Sequence, residues 1–155
     1  MEKIIITFGT RPLAQRLSNL LQDTYEVLFA TSEDLPSFLG SRYGKIPTGV
    51  NPTFAHELLK LGLDQEANYI LPLGLAEIQT LSDSKILFEE YGIQVLCPDR
   101  NDLETLFVLE NPNAQLGMHL LNKGESLLGE PIPETVLTGL FAADDDGDSV
   151  ALITV

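Results

Sequence analysis

The chain has few of the residues that most catalytic and metal chemistry depends on. A single cysteine, Cys97, excludes an internal disulfide and any multi-cysteine metal site. It follows Val95-Leu96 at the end of an apolar run, where a buried structural thiol is expected. His56 and His119, the only histidines, lie far apart in patterns read as helical, and neither has a partner at zinc-ligand spacing. No Ser-His-Asp set, Cys-His pair or paired acid/base motif stands out, so neither a metal nor a cofactor is expected. General-base work would fall to a carboxylate. Basic residues are scarce: 9 against 23 acidic ones, a net charge of −14. Such a surface repels nucleic-acid phosphates and anionic lipid, which argues against both as partners. No apolar run approaches the roughly 20 residues of a membrane helix. The N-terminus lacks the longer apolar stretch of a secretory signal, so a cytoplasmic location is expected.

What is present is a good core composition. Apolar residues make up 44% of the 155, enough to argue against disorder and for one compact domain. The opening segment is the most informative. Ile4-Ile5-Ile6 leads into Phe8-Gly9-Thr10-Arg11-Pro12, and Leu13, Leu17, Leu20 and Leu21 recur at helical spacing. This predicts a buried strand (Lys3–Phe8), a glycine turn and an amphipathic helix from Pro12 to Gln22. Further strands are predicted at Glu26–Ala30, Lys45–Pro47, Tyr69–Leu73 and Ile93–Leu96. Between them lie a short turn at Pro36–Tyr43, a helix from Asn51-Pro52 to Gly62, and two short helices within Ala76–Gly92. Alternating strands and helices imply an α/β fold: a three-layer, Rossmann-like parallel sheet of about five strands in the order 3-2-1-4-5.

Residues 100–155 read as an extension packed on residues 1–99. It has a helix from Asn101 to about Leu109, another over Ala114–Lys123, and a terminal hairpin of Val136–Ala142 and Ser149–Val155. The aspartates of its turn, Asp144, Asp146 and Asp148, alternate like calcium ligands. Ser149 and Val155 occupy the places where an EF-hand needs glycine and glutamate, so a solvated turn is expected. The apolar last strand must pair with the body or with a second copy, which makes a homodimer an expectation.

In the order 3-2-1-4-5 a crevice opens between strands 1 and 4. It sets Gly9, Thr10 and Arg11 opposite Pro72, Gly74 and Glu77. The first turn has one glycine where a dinucleotide fingerprint needs three; Arg11 and Ala14 take the later places. Backbone N–H groups at Thr10 and Arg11 with the guanidinium would make an anion site. The alternative is a turn glycine and a surface arginine. Glu77 could take a hydroxyl or amine, or simply favour a helix dipole. Asp99 and Arg100 form a third candidate edge, or a surface ion pair.

Two resemblances are carried by these residues. Phe8–Pro12, FGTRP, resembles the opening of non-hydrolysing UDP-N-acetylglucosamine 2-epimerases, and the likeness ends there. Lys3–Asp99 resembles the N-terminal preATP-grasp domain of carbamoyl-phosphate synthase and biotin carboxylase-type enzymes. The strand-Gly-helix opening, EVLFATSED, KIP before Asn51-Pro52, and ANYILPLGLAEIQTLSDSKILFEEYGIQVLCPD (Ala67–Asp99) carry this likeness in order. It places Glu77 at the glutamate of that cadence. Those enzymes carry their ATP-binding residues in longer subdomains downstream. Residues 100–155 hold no glycine-rich flap with a lysine and no spaced Glu and Asn ligands. The resemblance therefore implies the fold, and a stand-alone, non-catalytic domain that binds a small anionic ligand or a separate ATP-grasp protein. The other expectations are a small nucleotide- or phosphosugar-binding enzyme using the Gly9–Arg11 crevice, and a purely structural dimer subunit.

Overall fold

A computed structural model describes residues 1–155. Its first sheet is parallel and built from β1 (Glu2–Ile6), β2 (Tyr25–Thr31), β3 (Tyr43–Lys45), β4 (Tyr69–Leu71) and β5 (Gln94–Val95), in the order β3-β2-β1-β4-β5. The expected order is observed. Both faces of β1 are buried, which is why it reads as a continuous isoleucine run and not as an alternating one. Ile4 and Ile6 join α1 (Pro12–Leu21), through Leu13, Ala14, Leu17 and Leu21. Ile5, on the opposite face, joins α2 (Phe54–Asp64), α3 (Leu75–Ser82) and α4 (Lys85–Glu90), through Phe54, Leu58, Ile78, Leu81 and Phe88. These are the three layers. The expected break within Ala76–Gly92 falls at Asp83-Ser84.

Beyond Asp99 the chain departs from the sequence expectation. The helix α5 ends at Thr105 (Arg100–Thr105), and Phe107–Glu110 is a strand, β6. Ala114–Lys123 holds no helix; His119–Asn122 is β7, followed by β8 (Glu125–Leu128). His119 is thus on a strand. The hairpin is present as β9 (Gly139–Ala143) and β10 (Val150–Thr154). Together these form a second five-stranded sheet, β6-β10-β9-β7-β8, with β6–β10 parallel and the other pairs antiparallel. β10 is paired on both sides within the chain, so its apolar residues need no second copy to cover them.

The central strands of this second sheet, β7, β9 and β10, are also buried on both faces. Leu121, Phe141 and Leu152 enter the cluster around Ile5, while Leu120, Leu140, Ala142 and Ile153 enter the one around Ile4 and Ile6. The sheets are joined at their ends: Val155 N–H donates to Leu73 O at 2.9 Å, and Asn122 Nδ2 to Gln94 Oε1 at 2.5 Å. Arg16 on α1 donates to Leu116 O at 2.9 Å.

Candidate functional site

Thr7 directly follows β1, and its side chain is fully buried. Its hydroxyl accepts from Leu73 N–H at 2.8 Å and donates to Glu77 Oε1 at 2.5 Å. Gly74 N–H donates to the same oxygen at 3.3 Å. One threonine thus links the ends of β1 and β4 to the start of α3, at the point where strand order reverses. Glycine at the cap of α3 has no side chain to offer, so Glu77 supplies half of a capping box by itself. Glu77 is only 4% exposed. Burial pushes its carboxyl up to about 7, against the opposing pull of the Thr7 hydroxyl and the Gly74 and Leu73 N–H groups.

The chain then turns sharply. Phe8 adopts φ 51°, a left-handed conformation that is strained for a bulky residue. Gly9 N–H returns to Ala30 O at 3.0 Å, and Gln15 Nε2 holds Gly9 O at 2.7 Å. Neither Gly9 nor Gly74 has the positive φ that only glycine tolerates well; each is a point of close approach. A Cβ at Gly9 would collide with Phe29 Cβ, and one at Gly74 with the Phe8 ring. Arg11 caps α1 through its extended backbone, with no side-chain cap bond. Its guanidinium lies 5.7 Å from the Phe8 ring centroid and belongs to none of the four salt bridges.

These features border a cleft of about 160 Å³ lined by Phe8, Thr10, Arg11, Thr31, Ser32, Glu33, Thr48 and Glu77. Its outer wall is the loop after β2, fixed by Lys45 Nζ, which donates to Ser32 O at 2.7 Å and Asp34 Oδ1 at 2.6 Å. Glu33 N–H donates to Thr31 Oγ1 at 3.1 Å. Thr48 arrives on the loop before α2. That loop packs so closely on α3 that a Cβ at Gly49 would stand 2.6 Å from Glu77 N.

Of the residues singled out from sequence, Thr10, Arg11 and Glu77 meet in this cleft. Gly9 and Gly74 shape its edge without lining it, and Pro72 is buried away from it. Asp99 and Arg100 belong to another depression, where Lys85 pairs with Asp99 at 3.0 Å and Arg100 with Asp83. Thr7, Thr31, Glu33 and Thr48 were not singled out. Thr7 carried a signal, as the polar residue directly after the isoleucine run. No group of three or more His, Cys, Asp or Glu side chains converges to hold a metal ion. No helix is long and apolar enough to cross a membrane.

The fold and the cleft define a Rossmann-like α/β domain with a polar pocket at its switch point. No protein-family model matches the chain, and no curated protein matches it either.

Proposed function

We propose that the chain is a non-catalytic binding domain for a small hydroxylated anion, such as a carboxylated or phosphorylated polyol. The observation that carries this reading is the shared cleft of Arg11 and Glu77, a guanidinium without an ion-pair partner beside a nearly buried carboxyl. Arg11 would fork onto the anionic group. Thr10, Thr31, Ser32 and Thr48 supply hydroxyls, and Glu33 accepts from ligand hydroxyls. A cleft of about 160 Å³ is below the usual range of about 300–1,000 Å³ for drug-sized ligands, which favours a small molecule over a dinucleotide. The strained Phe8 at its rim adds support, since such conformations gather at ligand sites.

A thermal-shift series with small sugar phosphates and hydroxy acids tests this. A ligand at about 100 times its Kd stabilises by about 2.7 kcal/mol and raises Tm. The shift is expected to vanish in Arg11→Ala, and an equal shift in that variant would overturn the site. With Glu77 ionising near 7, binding is expected to be tighter at pH 6 than at pH 8, because the ionised carboxylate joins Glu33 in repelling the anion.

A second reading rests on the preATP-grasp resemblance of Lys3–Asp99. The domain would serve a separate ATP-grasp protein encoded beside it. Co-expression and co-elution of the two proteins would support it, and separate elution would count against it.

A further inference from the structure

The second sheet ends in a bare edge. β6 pairs with β10 on one side and with nothing on the other. Its sequence, FVLE, contains no lysine or proline of the kind that blunts exposed edges. Phe107 is 71% exposed. At the end of the sheet where β6 and β10 begin and β9 ends lies an open groove of about 630 Å³, whose apolar lining includes Leu106, Phe107, Val150 and Ala151. Its only ionisable lining residues are Asp144 and Asp148, on the β9–β10 turn. Glu104 precedes β6 and Glu110 is its last residue, and no lysine or arginine lines the groove.

From this edge, groove and charge we infer a docking site for another protein. An extended segment adds to β6 as a further strand. Where it passes Phe107 at the start of β6, the segment continues around the sheet end into the groove, so that its apolar residues cover Val150 and Ala151 and its lysines or arginines meet Asp144 and Asp148. Strand addition draws affinity from main-chain hydrogen bonds and selectivity from alternate side chains, and this edge offers both. The acidic end selects a basic partner over a second copy of this chain, which would bring the same carboxylates and a net charge of −14. The site is distinct from the Arg11–Glu77 cleft, and none of its lining residues is shared with it.

The test is fluorescence anisotropy with a labelled peptide alternating lysine and valine, titrated with the full chain. Binding is expected, and Phe107→Ser, which alters an exposed side chain and no charge, is expected to weaken it by about tenfold or more. The same peptide N-methylated at alternate residues keeps its charge but cannot pair along β6, and is expected to lose a similar factor. A glutamate–valine peptide is expected not to bind. Equal binding by wild type and Phe107→Ser, or by the plain and methylated peptides, would reduce the effect to general attraction to an acidic protein and overturn the proposal. Sedimentation of the free chain as a dimer that Phe107→Ser dissociates would assign the edge to a second copy, and would overturn it equally.

Discussion

Glu77 shows how one side chain can serve fold and site together. Its oxygen closes the cap of α3 and receives the Thr7 hydroxyl, yet the carboxyl sits where ionisation is disfavoured. The pH consequence has a definite sign. In the unfolded chain Glu77 ionises near 4.5, and in the native protein only near 7. Below pH 4.5 it is protonated in both states. Between these values the native state keeps a proton that the unfolded chain has released, so stability falls as pH rises through the window. Above 7 the full penalty is present, about 3 kcal/mol at 1.36 kcal/mol per pH unit. Glu77→Gln preserves an acceptor for Gly74 N–H and Thr7 but cannot ionise. Urea unfolding of both proteins at pH 4.5 and pH 8 is expected to show the variant gaining about 3 kcal/mol relative to wild type over that range. Parallel pH profiles would show that Glu77 titrates normally. Glu77 itself stood out in the sequence as a glutamate near a helix start. Its partner Thr7, 70 positions away, did not, because no local pattern encodes a contact made by bringing β1 beside β4.

At the scale of elements, legibility depended on how many faces each one buries. The segments α1 and α2 bury one stripe, and their leucine spacing announced them. Strand β1, buried on both sides, was readable because three isoleucines in a row are β-branched and end at a glycine turn. Strand β7 was not. Leu120 and Leu121 are adjacent and both buried, one in each core cluster, so the alternation of a half-buried strand is erased. With Leu116 four places earlier, the pair imitates helical spacing. Gly124 misled in the same way, since glycine with positive φ closes helices and hairpins alike. Here Lys123 and Gly124, at φ 51° and 83°, form the two-residue turn between β7 and β8. A Cβ at Gly124 would also meet the Thr135 carbonyl oxygen. Gly124→Ala is therefore expected to cost about 2 kcal/mol or more, combining a strained φ with a steric clash against backbone. A chemical-denaturation midpoint within error of wild type would refute this account of the turn.

For the whole molecule, residues 1–99 and the extension that the sequence packs on them share one core. Both apolar clusters draw side chains from before and after Asp99. Without Leu120, Leu140, Ala142 and Ile153, the face of Ile4, Ile6, Leu71 and Leu96 would lose part of its cover. Without Leu121, Phe141 and Leu152, so would the opposite face. Exposing even a few fully buried side chains of this size costs about 1.5–3 kcal/mol each, a sum comparable with the whole stability of a domain of this length. The two sheets should accordingly unfold together. All four tyrosines lie before Asp99, so tyrosine fluorescence reports the first sheet, while amide exchange in β7, β9 and β10 reports the second. The expected result is one urea midpoint for both probes and matching free energies of exchange. A chain ending at Asp99 should then fail to give a cooperative transition of its own. Separate midpoints, with the first sheet surviving loss of the second, would instead make residues 100–155 an independent unit and confine the structural support of the Arg11–Glu77 cleft to residues 1–99.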